Sequence, residues 1–224
     1  MICLAHSKSN LKIEMAEGKI LVLVIENPTV MRELLQELEE QQQGNSSEIV
    51  LSIDYEPVSI SKNLLLINDP LNIDCNDRKI LTKLYQSIVD EEKAQYHLEK
   101  DNFDKAYLEY LREIFLLSPL PLIYDERLNV GELLKSAHVM IDHTTGSYVE
   151  NLWNFIKVMS DLFHIKVFAF VNLKSFLSKQ ELDLLYMQCF YEQKQLLLIE
   201  SHDTPSRTDE IKYIIDADGC MIYY

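Results

Sequence analysis

The stretch Ile20-Leu21-Val22-Leu23-Val24-Ile25-Glu26-Asn27-Pro28-Thr29-Val30 decides the fold. Its apolar run, rich in β-branched side chains, reads as a strand buried on both faces. Asn27 and Pro28 stop it: an asparagine side chain caps a helix, and proline suits a first helical turn, where an amide has no partner to lose. Val30, Leu34, Leu35 and Leu38 then share one helical face. Strand, tight turn and amphipathic helix are the opening unit of an α/β sheet. The same turn bears on function. A phosphate loop offers bare backbone amides from glycines and a lysine to neutralise the phosphates. Glu26-Asn27-Pro28-Thr29 has neither, and it adds a carboxylate that repels them.

Outward from this unit, Leu11 to Met15 alternates apolar and charged residues and predicts a half-buried strand, with Glu17-Gly18 as a turn. Residues 41–47 are a polar loop. Ile49 to Ile53, ending at Asp54, is a second strand, and Leu64 to Ile67, ending at Asn68-Asp69-Pro70, a third. Strand, helix and strand in this order predict a parallel core. Further on, Gly131 to Ala137 reads as a short helix and Val139 to Ile141 as a short strand. Val149, Leu152, Trp153, Ile156 and Met159 mark a strongly amphipathic helix. Val167 to Val171 and Leu196 to Ile199 are buried strands ending at Asn172 and Glu200, with a helix over Gln180 to Phe190 between them. Ile211 to Ile215 and Cys220 to Tyr223 predict a closing hairpin around Asp218-Gly219.

From Leu71 to Ser118 the chain has no glycine and no proline. Ile80, Leu84 and Ile88 carry one apolar stripe, and Phe103, Tyr107, Tyr110, Leu111 and Ile114 another, with a mostly charged stretch from Asp90 to Asn102 between. Asp74 or Asn76 is placed to cap the first of two long helices. Two ordinary helices joined by a polar stretch would also fit; the weakly apolar middle favours an arm. Pro119-Leu120-Pro121 ends it. The expected class is therefore α/β, with a mainly parallel sheet in a head domain over 1–70 and 119–224, interrupted by a long helical arm over 71–118.

The formal charge of −15 repels nucleic acid on average, so DNA contact needs a local basic surface. No apolar run reaches the roughly 18 residues of a membrane helix, and Met1 to Met15 has no signal-peptide core. Cys3, Cys75, Cys189 and Cys220 lack metal or disulfide spacing, which fits a cytoplasmic location. Glu17-Gly18-Lys19 has a nuclease-like glutamate–x–lysine spacing without a partner aspartate, and no Gly-x-Ser-x-Gly motif is present. His138, Asp142 and His143 lie close in sequence and read as loop residues that a metal could use. Asp54, Asp69, Asn172 and Glu200 read as polar strand ends, any of which would hold magnesium in an active nucleoside triphosphatase. Asp125-Glu126, with Asp142, could supply oxygen ligands to calcium. Lys79, Lys83, Lys93, Lys100, Lys105 and Arg112 are interleaved with acids, at spacings that allow internal pairing.

The segment Lys19 to Leu34 resembles the start of the Csn2 family of type II-A CRISPR adaptation proteins. Ile165 to Leu182 is similar to that family's strand, asparagine turn and helix, and Gln195 to Glu200 and Tyr213 to Gly219 resemble its last two strand regions. With the helical insertion between, the resemblance covers nearly the whole chain. It implies a degenerate P-loop-ATPase-like α/β head with a helical arm, without catalysis of its own. It further implies a bacterial antiviral-defence role: a ring-shaped homotetramer encircling double-stranded DNA and preferring its ends. Such a ring works in spacer acquisition with the two spacer-integration proteins and the RNA-guided effector nuclease. Calcium supports the family's assembled shape, and Asp125 and Glu126 match its acidic region after the arm, with Asp142 a further candidate. Lys79, Lys83, Lys100, Lys105 and Arg112 are the candidates to face DNA. The alternatives are a nucleoside triphosphatase of the same architecture, or a scaffold that binds only the other adaptation proteins.

Overall fold

A computed structural model describes the chain except residues 8–10, 17, 127, 143–145 and 224 and the side chains of 97 and 223. The strands are β1 (Ile2–His6), β2 (Leu11–Met15), β3 (Ile20–Ile25), β4 (Ile49–Ile53), β5 (Glu56–Val58), β6 (Leu64–Ile67), β7 (Val167–Val171), β8 (Gln195–Glu200), β9 (Glu210–Ile215) and β10 (Met221–Tyr223). The helices are α1 (Pro28–Gln42), α2 (Ile60–Asn63), α3 (Arg78–Gln95), α4 (His97–Phe115), α5 (Val130–Ser136), α6 (Tyr148–Phe163) and α7 (Lys179–Tyr191).

Among the described residues, the larger sheet has the order β10-β9-β3-β8-β7-β6. All its pairings are parallel except β9 with β10, which close the chain as the expected hairpin. The α/β class with a mainly parallel sheet is thus the one that forms. Every residue of β3 and β7 is buried, as strands covered on both faces must be. One face packs Leu21, Leu23, Ile25, Ala169 and Leu197 against Leu34 and Leu38 of α1 and against Leu4, Ile13 and Leu51 of a second sheet. That second sheet has the order β2-β1-β4-β5 and is antiparallel throughout. This corrects one expectation: β4 does not continue the parallel core. Its Val50 is exposed while Ile49 and Leu51 are buried, the one-sided pattern of an antiparallel strand.

The described chain divides into two units, Met1–Asp74 with 143–224, and Cys75–Asp142. The helical unit takes in residues 119–142 as well as 75–118, while residues 71–74 of the stretch set off in the sequence fall in the other unit. Within it the Phe115 and Tyr124 rings lie 5.1 Å apart. Its first helix is capped by Asp77, whose side chain accepts from the Lys79 amide at 2.7 Å, rather than by Asp74 or Asn76. The expected strand over Val139 to Ile141 is irregular chain instead. Its backbone groups are taken by side chains. Asn76 bonds both the amide and the carbonyl of Ile141, and the Tyr85 hydroxyl donates to the Val139 carbonyl.

The β3–α1 turn forms as its residues dictate. Asn27 Oδ1 accepts from the amides of Thr29 and Val30 at 2.9 and 3.2 Å, and Pro28 opens the helix. Asn27 Nδ2 donates to the Ala217 carbonyl at 2.9 Å, joining the turn to the loop between β9 and β10. Asn27→Ala is expected to lower the unfolding free energy by about 1–2 kcal/mol, read by urea denaturation. Asn27→Ser, which keeps the cap and loses the Ala217 bond, should restore most of the difference.

Candidate functional site

The carboxyl end of β3 is where an α/β protein of this kind presents a phosphate loop, because a helix amino terminus offers free amides and positive dipole. Here two of those amides are bonded to Asn27, Pro28 has none, and Glu26 stands beside them. The site is closed to phosphate by its own residues. The other strand-end groups are also engaged. Asp54 belongs to the turn after β4 in the second sheet and bonds the Met1 amino group at 2.7 Å; that contact holds its carboxyl below the ordinary value. Asp69 Oδ1 accepts from the Leu71 amide. Asn172, at φ +52°, accepts from the amide and hydroxyl of Ser201, both at 2.9 Å.

Glu200 differs from these three. It ends β8 almost fully buried and accepts from the Lys174 amide at 3.1 Å. Burial pushes its carboxyl up to about 7. It belongs to an ionic cluster spanning β8, β9 and α7 that the sequence reading missed. Lys174 Nζ lies 2.8 Å from Glu210 Oε1, and the Tyr186 hydroxyl donates to the same oxygen at 2.8 Å. Burial, and after it the Glu210 carboxylate, pushes the Tyr186 phenol up, so it remains a donor. Arg207 pairs with Asp183 and sits over the Tyr186 ring, 5.3 Å from its centroid. Lys212, buried inside β9, is held by Asp203 at 2.6 Å and by the Thr204 carbonyl. The one sequence signal was a lysine inside the apolar run Ile211-Lys212-Tyr213-Ile214-Ile215. The cluster clamps the β8–β9 connection onto the sheet.

The candidate DNA and metal residues lie in the helical unit, apart from this cluster. Lys79 and Lys83 are exposed on α3, four residues apart and so on one helical face. Lys105 and Arg112, seven apart on α4, likewise share a face. Arg112 donates to the Tyr124 hydroxyl at 3.4 Å; that bond first, and Glu126 and Glu109 less, favour its charge. Lys100 is different, since it bonds Asp104 at 2.7 Å within α4. Both line a cleft of about 760 Å³ that also holds Asp125, Glu132 and Lys135. Lys135 and Glu132 pair there at 2.7 Å. Two of its lysines are thus paired with carboxylates of the same cleft, where acids outnumber lysines among the described residues.

Asp125 and Glu126 are adjacent and exposed, and Asp142 lies beyond α5. Among the described residues, no three His, Cys, Asp or Glu side chains stand close enough to hold a metal ion. His138 is exposed at φ +51°; His143, of the same trio, and Glu17, of the nuclease-like spacing, lie outside the described residues. Among the described residues no helix is long and apolar enough to cross a membrane.

Comparison with known proteins gives a family. A family model described as CRISPR-associated protein Csn2 matches residues 41–219. The CRISPR-associated protein Csn2 of Streptococcus agalactiae is 26% identical over 204 residues, covering 90% of this chain and 89% of that protein. Among solved structures, an ATP-binding cassette in a post-hydrolysis state with ADP and phosphate aligns at a TM-score of 0.41 and 9% identity, over 91% of this chain and 88% of that one. Likeness at that level carries no argument about ligands. The family match spans most of both units, and the chain belongs to the Csn2 family of CRISPR-associated proteins.

Proposed function

We propose that the chain is a non-catalytic accessory protein of CRISPR spacer acquisition that binds double-stranded DNA ends without reading sequence. In this reading it acts as a homotetrameric ring in the cytoplasm, alongside the two spacer-integration proteins and the RNA-guided effector nuclease. The observation that carries it is the apolar run after α4. Leu116, Leu117, Leu120 and Ile123 are 85%, 84%, 68% and 99% exposed. A soluble chain rarely leaves so many large apolar side chains together in water, and a second copy of the chain would cover them. Assembly also answers the charge problem. One chain at −15 is a poor partner for DNA, but several copies would gather Lys79, Lys83, Lys105 and Arg112 into one basic lining. DNA within a Debye length, about 8–10 Å, would feel that lining more than the acidic exterior. The self-capped β3–α1 turn supports the absence of nucleotide hydrolysis.

The test pairs light scattering with gel shifts on linear and closed circular duplex. A multiple of the chain mass and a shift of linear duplex alone are expected. Affinity should fall linearly with log salt, with a slope of about −0.9 per phosphate neutralised. Leu117→Asp combined with Ile123→Asp should give a monomer with intact helical circular dichroism and at least about tenfold weaker DNA binding. A monomeric parent protein, salt-independent binding, or phosphate release from ATP would each overturn the part of the reading it addresses.

A further inference from the structure

A cleft of about 620 Å³ lies at the amino-terminal ends of β3, β7 and β8, the opposite end of the sheet from the β3–α1 turn. That volume suits a small molecule. Among the described residues its cations are Lys19, Lys166, Lys194 and the Met1 amino group, and no Asp or Glu lines it. In a chain with 36 acidic and 21 basic residues, such a gathering is uncommon. Lys19 Nζ donates to the Thr208 carbonyl at 2.6 Å and Lys194 Nζ to Ser160 Oγ at 2.7 Å. Both acceptors are neutral, so among the described residues neither ammonium has a charged partner, and each keeps two further donors. Lys166 is exposed and feels Asp54, whose carboxylate already bonds the Met1 amino group.

The remaining wall is of a different kind. Met15, Ile165 and Phe190 supply apolar surface. Gln195, at the start of β8, lines the same cleft, and its buried Oε1 has no hydrogen-bond partner among the described residues. A buried amide oxygen without a donor is costly, and a turn of the side chain into the cleft would let a ligand N–H relieve it. Lysines for an anion, an apolar wall for a flat ring, and an amide for that ring's polar edge are the parts of one recognition site.

We propose that this cleft binds a nucleotide. The lysines take the phosphate, the ring lies against the Phe190 wall, and the Gln195 amide meets the edge of the base. Two sources share this chemistry: a free mononucleotide, or the phosphorylated terminal nucleotide of a DNA strand. The proposal does not rest on duplex binding by the helical unit, and either can fail without the other.

Titration calorimetry of the full chain at low salt tests it, with deoxyadenosine monophosphate, deoxyadenosine and inorganic phosphate as probes. The monophosphate is expected to bind at least about tenfold more tightly than the nucleoside. Lys166→Gln, at an exposed position, should weaken the monophosphate several-fold without changing the melting temperature of the free protein. Gln195→Met should weaken the monophosphate while leaving inorganic phosphate unchanged. Displacement of the monophosphate by a 5′-phosphorylated duplex, and not by its 5′-hydroxyl counterpart, assigns the strand end; displacement by neither assigns the free nucleotide, and both results support the site. Equal binding of nucleoside and monophosphate, binding of neither, or indifference to Lys166→Gln overturns it.

Discussion

Replacing Lys174 by methionine is expected to lower the free energy of unfolding by about 3–5 kcal/mol. The Lys174 side chain is 6% exposed and that of its partner Glu210 0%, with 2.8 Å between Nζ and Oε1. A buried pair gains little over an apolar replacement of both partners, because desolvation offsets the attraction; removing one partner strands the other charge. Little else stands ready to replace Lys174. Glu210 Oε2 has no hydrogen-bond partner among the described residues, and Arg207 Nε is 4.0 Å from Oε1, at the edge of ion-pair contact. The Tyr186 hydroxyl would remain as a donor. Glu210→Gln in the Lys174→Met background should therefore recover at least half of the loss, since a neutral amide can still accept from Tyr186. Urea denaturation of the two single variants and the double variant gives the coupling energy directly. Strictly additive losses would show that the pair does not hold the β8–β9 connection.

How much of this was legible in the sequence depended on how local the signal was. β3, β7 and β8 are unbroken apolar runs closed by Asn or Glu, and both readings agree to within a residue or so. The Asn27 cap and the helices α3, α4, α6 and α7 follow from caps and apolar spacing within a few turns. The second sheet was harder to see. β1 runs Ile2-Cys3-Leu4-Ala5-His6, with only Leu4 buried, and its pattern does not alternate between apolar and polar residues. β5 has three residues and a proline. β4 carries Val50 on its exposed face, which hid the alternation that separates an antiparallel strand from a parallel one. The ionic cluster was out of reach for another reason. Lys174, Glu200 and Glu210 come from three elements, and only the fold of the sheet brings them together. Sequence spacing also suggested internal pairing for the arm lysines, and the structure shows it for Lys100 with Asp104.

The same cluster gives the second large effect, through pH. Burial is the main cause that raises the Glu200 carboxyl to about 7; the Lys174 amide and ammonium act against it, and Glu210 adds to the rise. From about pH 4.5 to 7 the folded chain thus keeps a proton that the unfolded chain has released. The unfolded state binds fewer protons there, so this group's contribution to stability falls as pH rises and is flat above about 7. At about 1.4 kcal/mol per unit of pKa difference, the total is about 3–4 kcal/mol. Glu200→Gln keeps an oxygen for the Lys174 amide and carries no charge. It should match the parent at pH 4 and exceed it by about 3–4 kcal/mol at pH 8. The comparison with the parent is what matters, because the helix-capping carboxylates Glu150 and Glu181 are held low and lose their contribution as pH falls, in both proteins alike. Chemical denaturation across this range reads the difference, and a gap that does not change with pH would show that Glu200 titrates alike in the folded and unfolded chain. Lys174 links the two predictions. Its ammonium stabilises the Glu200 charge, so Lys174→Met should shift the Glu200 titration upward and carry the pH-dependent loss of stability to higher pH.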